Sequence, residues 1–279
     1  MTTIDEQRAK ALRFRALVTD GPLVLVNAWD AGSAVLSVAA GALAVATTSA
    51  GISWSLGRGD GEQLSRDEMV AAAARIIAAV DVPVTVDAEG GYGLEPHAVA
   101  ETVAAVIEAG GIGVNLEDSV DGRLLSLDAQ RERLAAARAA ASAAGLPEFV
   151  VNARTDVYLL PAESGGHGRP SRLEQAIERA VAYADAGVDS IFPIGLSALG
   201  ELAQLVDASP LPVNASAGPG DPTIGELAAV GVKRVSLGAS VAEAAYTLAF
   251  RATQDALGAG TYDRLAGTDG FSALDSRFG

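Results

Sequence analysis

Cysteine is absent from the 279-residue sequence, so no disulfide, thiolate nucleophile, iron–sulfur cluster or Cys-ligated zinc site can form from it. Cations are also in short supply. Twenty Lys and Arg stand against 35 Asp and Glu, a net charge of −15. That balance argues against nucleic acid or an anionic membrane surface as partner, while leaving room for a small anion held by local arginines. Long apolar runs are missing as well: VAAAARIIAAV is interrupted by Arg75, well short of the roughly 18 residues a membrane span requires. The opening stretch MTTIDEQRAKALRFRALVTD is charged and amphipathic, without the apolar run of a signal peptide, so a cytoplasmic location is expected. With 49% hydrophobic and 20% charged residues, the chain can bury a full core. Its length suits either two domains of about 150 residues or one α/β barrel of about 250.

Eight short β-branched runs decide between them. They are LVLVNAWD (23–30), ALAVATTS (42–49), VPVTVDAE (82–89), GIGVNLED (111–118), EFVVNART (148–155), DSIFPIG (189–195), LPVNAS (211–216) and KRVSLGA (233–239). Near-continuous apolar runs suit parallel strands buried on both faces, and each is followed by a stretch of helical length and composition. Ser65 with Glu68, Ser171 with Glu174 and Thr223 with Glu226 have the spacing of reciprocal helix N-caps, and Pro96 suits a first helical turn. Val99, Val103, Val106 and Ile107 form one stripe of that helix, and Gly110, Gly145 and Gly187 stop helices just before strands. Eight β/α units without a dividing linker predict α/β architecture: a single closed (β/α)8 TIM-type barrel over about 20–250, with a doubly wound sheet as the alternative. Residues 5–19 read as an extra N-terminal helix. Residues 240–279 read as the last barrel helix and a C-terminal helical extension, which occupies 251–279.

Sites in such barrels lie at the C-terminal ends of the strands. Asp87 and Glu89 close the third run, Glu117 and Asp118 the fourth, and Asn152, Arg154 and Asp156 the fifth. Asp87 and Glu89 are two apart, so strand geometry would put both on one face, where two like charges call for a cation. With Glu117 and with Asp60 from the loop after the second run, they make an all-oxygen set suited to Mg²⁺ or Mn²⁺ rather than zinc. The competing reading is that these acids cap helices. TTSAGIS at 47–53 ends a strand in small residues whose amides could approach a ligand, or forms a plain turn. Arg154 must face an anion or be paired with Asp156 or Glu117, because a guanidinium keeps its proton. His97 reads as a surface residue. His167 lies in the Gly-rich connection LPAESGGHGRPS, which is long enough to be a lid, with Gly165, Gly166 and Gly168 as hinges. GRGDG and AGPGD lack the glycine spacing of nucleotide sites and read as turns.

The motifs TTSAGISWSLGRGD, VTVDAEGGYG, GVNLEDS, VNARTD and PVNAS, in this order, resemble the phosphoenolpyruvate mutase / isocitrate lyase superfamily. The resemblance runs from about residue 20 to about 250. It implies a (β/α)8 barrel that binds Mg²⁺ and a 2-oxo or 2-hydroxy acid and makes or breaks a C–C or P–C bond through an enolate-like state. By the same resemblance, Asp87 is the direct metal ligand, while Asp60, Glu89 and Glu117 hold its water shell. Ser49, Ala50 and Gly51 bind the substrate carboxylate, and Asn214 contacts its far end. Arg154 covers the oxygen that becomes negative, with Glu117 beside it; His167, on the separate reading of its loop as a lid, is the third catalytic candidate. A homodimer or homotetramer is implied too, relatives often swapping a C-terminal helix; Tyr246, Phe250, Leu257, Leu265 and Phe271 could do the same here.

Two departures bear on the reaction. Lyases of the superfamily carry a gating loop with an acidic cysteine after the fourth strand, and here that segment is the short, cysteine-free SVDGRLLSLDAQ. After the sixth strand, FPIGL places Ile194 where relatives often have Glu or His. The expected function is therefore a Mg²⁺-dependent lyase, phosphonomutase or hydrolase. The alternative is a non-catalytic barrel that binds metal and carboxylate in a regulatory role.

Overall fold

The computed structural model describes residues 3–161 and 170–278; His167 and the glycines around it lie outside the described residues. The chain begins with α1 (Ile4–Asp20), β1 (Leu23–Ala28), α2 (Ala31–Ala39), β2 (Val45–Thr47), α3 (Ser49–Ser55), α4 (Arg66–Ala78), β3 (Val84–Asp87), α5 (Pro96–Glu108) and β4 (Gly113–Glu117). A small hairpin follows, β5 (Ser119–Val120) and β6 (Arg123–Leu124), then α6 (Leu127–Ala143), β7 (Val150–Thr155), α7 (Arg172–Asp185), β8 (Ser190–Pro193) and α8 (Leu199–Ala208). The last elements are β9 (Asn214–Ser216), α9 (Ile224–Ala229), β10 (Arg234–Ser236), α10 (Ser240–Gly258) and α11 (Phe271–Asp275).

All eight apolar runs are strands, and they pair in parallel in the order β8-β7-β4-β3-β2-β1-β10-β9. A parallel bridge between Ile191 and Val213 joins the two ends of that row, closing the TIM-type barrel. The doubly wound alternative is thereby excluded. Each capping pair is formed as its spacing requires: Ser65, Ser171 and Thr223 each accept from the backbone of the Glu three residues on, whose carboxylate accepts in return. Pro96 opens α5, and Val99, Val103, Val106 and Ile107 are its buried stripe.

The extra N-terminal helix has a definite task. Ala11 and Phe14 of α1 pack against Leu23, Leu25, Ala44, Ala46, Ile112 and Val150, sealing the barrel at the N-terminal ends of its strands. Burying one such aromatic contributes about 1.5–3 kcal/mol, and Gln7 fastens the helix further by donating to the carbonyls of Ile107 (2.8 Å) and Gly111 (3.2 Å). The opposite end stays open. There Tyr246 of α10 meets Trp29 and Trp54, with ring centroids 6.3 and 6.1 Å apart. Beyond it the extension is thinly packed: Phe250, Leu257 and Phe271 are 65%, 84% and 83% exposed. Among the described residues, no helix is long and apolar enough to cross a membrane.

The segment after β4 is a hairpin rather than a lid. Asp121 and Gly122 both have positive φ, the arrangement a two-residue Asp-Gly turn requires, and Leu125 N–H donates to the Asp118 carbonyl at 2.8 Å. Eight residues, 119–126, therefore carry the chain straight into α6, leaving no span for a gate.

Candidate active site

A cavity of about 250 Å³ opens at the C-terminal ends of the strands, where the polar residues gather. Ser49, Ala50, Asp60, Asp87, Arg154 and Asn214 all line it. Glu89, Glu117 and Gly51 stand behind that lining, so the structure brings six of the expected residues to the cavity surface and sets three in support.

Asp87 ends β3 with its carboxylate held on both sides. Its Oδ2 accepts from the Ser49 N–H (3.1 Å), its Oδ1 from Asn115 Nδ2 (3.0 Å), and its own N–H donates to Thr47 Oγ1 (2.8 Å). Glu89 reaches the same region by a different route from the one strand alternation predicts. The strand stops at Asp87, and Glu89 sits in a left-handed turn at φ +48°. The same-face argument thus does not apply; a tight turn, not the pleat, delivers this carboxylate. Its oxygens accept from the Glu62 N–H (2.6 Å) and the Tyr92 hydroxyl (2.9 Å). Glu62 and Tyr92 also have positive φ, and three non-glycine residues in that region indicate a local conformation held by its surroundings.

Glu117 and Asp118 are consecutive and point to opposite sides. Glu117 meets Arg154 Nη1 at 2.8 Å, whereas the fully buried Asp118 accepts from Arg179 and Tyr183 and so ties β4 to α7. Arg154 closes β7 and is gripped from both sides, its Nε 2.6 Å and Nη2 3.2 Å from Asp156 as well. The expected pairing with Asp156 or Glu117 is therefore formed, and the guanidinium nevertheless faces the cavity. Burial pushes the Glu117 carboxyl up to about 8, because Arg154 is shared with Asp156 while Asp87 and Glu89 add like charge. Burial likewise raises Glu89 to about 6, with Asp87 and Asp60 contributing. An excess of negative charge stands at this wall.

That wall fits a hydrated divalent cation. Among the described residues, no three carboxylate or imidazole groups converge into a direct ligand set. One oriented carboxylate, Asp87, with further carboxylates at longer range is the donor pattern of a hard ion that keeps most of its waters.

Gly51 has a packing role. A Cβ there would lie 2.7 Å from Trp29 Cβ and 2.8 Å from Thr48 Cγ2, so only glycine lets α3 approach β1 this closely.

Sequence reasoning missed the cavity floor. Arg234 is fully buried on β10 and lines the cavity, stacked over Phe14 with its carbon Cζ 5.6 Å from the ring centroid. Among the described residues, its Nε and Nη1 have no hydrogen-bond partner, and neither does Asn214 Nδ2 beside it. Burial lowers the Arg234 pKa to about 9, with Asp87 pulling it back. The signal was present in KRVSLGA, an arginine inside an apolar run, as with Arg154. Asn115 and Ser190 were also missed, being uncharged and sheltered within strands.

A parallel barrel with an acidic wall, a fixed guanidinium and a donor-rich floor at the open end of its strands defines an enzyme class acting on small carboxylic acids. The comparisons specify it. The phosphoenolpyruvate phosphomutase family matches residues 14–257. The 2-methylisocitrate lyase of Escherichia coli K12 is 32% identical over 211 residues, covering 73% of this chain and 68% of that one. A crystal structure of a candidate lyase/mutase from Burkholderia cenocepacia J2315 is 39% identical and superposes with a TM-score of 0.89, covering 98% of this chain and 97% of the other. Oxaloacetate acetylhydrolase in complex with its product oxalate is 26% identical, with a TM-score of 0.83 over 98% of this chain and 94% of that one. The chain belongs to the phosphoenolpyruvate mutase / isocitrate lyase family, and is an enzyme of that metal-dependent group of lyases, phosphonomutases and hydrolases.

Proposed function

We propose that the protein is a Mg²⁺- or Mn²⁺-dependent enzyme that cleaves or forms a C–C or P–C bond in a 2-oxo or 2-hydroxy acid bearing a second acidic group. The observation that carries this reading is the polarity of one cavity, with Asp87 and Arg154 on one wall and the unpartnered donors of Arg234 and Asn214 at its floor. Asp87 is the residue to hold the cation directly; Asp60, Glu89 and Glu117 hold its water shell. A bound divalent ion supplies Lewis-acid polarisation of the C2 oxygen. Ser49, Ala50 and Gly51 present the amino end of α3 to the substrate carboxylate, Gly51 by letting that helix pack close against Trp29. Arg154, kept from swinging by Asp156 and Glu117, presents a fixed positive charge where the enolate oxygen becomes negative, and such preorganised charge costs no rearrangement during the reaction. Asn214 and Arg234 receive the far acidic group.

With no cysteine, the proton has another source. His167, in the segment outside the described residues, is the residue to test, and His167→Gln should lower kcat at least about tenfold if it delivers the proton near neutral pH. The same reading includes a cytoplasmic enzyme working as a homodimer or homotetramer, copies associating through the exposed apolar side chains of α10 and the tail.

Turnover with Mg²⁺ on a panel of 2-oxo acids, malate derivatives and phosphonopyruvate tests the proposal. Product from at least one diacid, abolished by EDTA, is the expected result. Divalent-ion and oxalate binding without turnover on any member would instead make this a binding barrel.

A further inference from the structure

Four polar side chains occupy one rung of the barrel. The strand register pairs Asp87 with Asn115, Asn115 with Asn152, and Asn152 with Ser190, across β3, β4, β7 and β8 in turn. Strand alternation puts all four on the inner face, where their side chains join into a single directed chain. Ser190 Oγ donates to Asn152 Oδ1 (2.5 Å), Asn152 Nδ2 to Asn115 Oδ1 (2.8 Å), and Asn115 Nδ2 to Asp87 Oδ1 (3.0 Å). Asn152 is fully buried and Ser190 nearly so.

The direction of this chain is dictated by its end. An ionised carboxylate only accepts, so Asn115 must turn its amide nitrogen to Asp87 and its oxygen to Asn152. Asn152 must then turn its nitrogen to Asn115, which leaves its oxygen for the hydroxyl of Ser190. Each link fixes the orientation of the next, and hydrogen bonds aligned in this way polarise one another. Were the Ser190 hydroxyl removed, Asn152 would lose the donor that holds its oxygen, and its amide could reverse, setting its oxygen against the Asn115 oxygen and leaving Asn115 without its donor.

We propose that Asn115, Asn152 and Ser190 form a positioning rung for Asp87, presetting the plane of its carboxylate for a divalent cation. Ser190 is outside the cavity lining and acts only through the two amides. The inference rests on the reading of Asp87 as the residue that holds the cation. It identifies which uncharged residues, up to three strands away, determine how well that residue does so. Outer hydrogen-bond partners of a ligand commonly change metal affinity by about 10–100-fold, and the far end of a chain belongs at the low end of that range.

The test is calorimetric titration of Mn²⁺ into the full-length protein with oxalate present. Ser190→Ala should weaken binding about 10-fold, while Ser190→Thr, which keeps the donor, should stay within about twofold of wild type. Asn115→Ala should weaken it about 10–100-fold. In the Asn115→Ala background, adding Ser190→Ala should change the affinity no further, because the link to Asp87 is already severed. Near-UV circular dichroism confirms that each variant is folded. Equal affinity of wild type and Ser190→Ala, or losses that simply add in the double variant, would overturn the rung while leaving the metal reading intact. A folded wild type that binds no Mn²⁺ would overturn both.

Discussion

Arg154 and Arg234 are both buried inside one barrel and face one cavity, yet their surroundings are opposite. On the β7 side, Arg154 lies between two carboxylates, at 2.6 Å from Asp156 and 2.8 Å from Glu117. On the β10 side, Arg234 has the Phe14 ring beneath it and two nitrogens without a partner among the described residues. The contrast separates two uses of a buried cation. A guanidinium satisfied by its own protein is held still and serves as a fixed charge. One without a protein partner is open to whatever enters the cavity, water or an anion, and its charge is not held by the fold.

Removing each arginine's charge, with stability read beside kinetics, separates the two roles. Arg154→Met leaves Glu117 and Asp156 buried without their partner, so we expect about 3–5 kcal/mol lost in denaturant unfolding and turnover below detection. Arg154→Lys keeps the charge but loses the planar fork, and kcat should fall about 100-fold or more while KM rises far less. A variant changed in KM alone would move Arg154 from the reaction to simple binding. Arg234→Met should show the reverse pattern. Stability should stay within about 1 kcal/mol of wild type or improve, since an unpaired buried charge gives way to an apolar side chain of similar length. Affinity for a diacid should drop about 10–100-fold, about 1.4–2.8 kcal/mol, with little effect on a monoacid. Equal losses for both acids would remove Arg234 from the far-end subsite.

The acidic wall gives a pH signature. Burial raises Glu89 to about 6 and Glu117 to about 8 from an ordinary value of 4.5, so the folded metal-free protein keeps protons that the unfolded chain has released. The associated stability is complete below about pH 4.5 and is lost as pH rises through 6 and then 8. Thermal melts in EDTA should therefore decline from pH 5 to pH 9, and saturating Mg²⁺ should flatten the decline by supplying the missing cation. Melts that rise over this range would contradict the placement of these carboxylates. At Gly51 the effect is on stability alone: the close approach to Trp29 and Thr48 makes Gly51→Ala cost about 1–3 kcal/mol in denaturant unfolding.

Much of this layout was legible in the residues. Eight β-branched runs announce eight strands because parallel barrel strands are buried on both faces, and reciprocal Ser/Thr and Glu pairs mark helix starts through local hydrogen bonding alone. Asp87 and Arg154 stand out as charges ending apolar runs. The details that failed depend on where a strand stops. Glu89 shares a site with Asp87 through a left-handed turn that no periodicity announces. The rung of Asn115, Asn152 and Ser190 depends on register between strands tens of residues apart, which a single sequence does not display. Arg234 is not legible from the C-terminal ends of the strands, because it sits at the start of β10 and reaches the cavity from below. The Asp-Gly pair at 121–122 could have announced the hairpin that replaces a gate.

Every role proposed for this cavity depends on Asp87 holding a divalent cation beside the acid-binding floor. Titration of Mn²⁺ into wild-type and Asp87→Ala protein, each with and without oxalate, tests that claim most directly. One Mn²⁺ per chain, bound more tightly when oxalate is present, with oxalate reciprocally tightened by Mn²⁺ and both couplings absent in Asp87→Ala, is the predicted result. Unchanged Mn²⁺ affinity in Asp87→Ala, or no coupling between the ion and oxalate in the wild type, would contradict it.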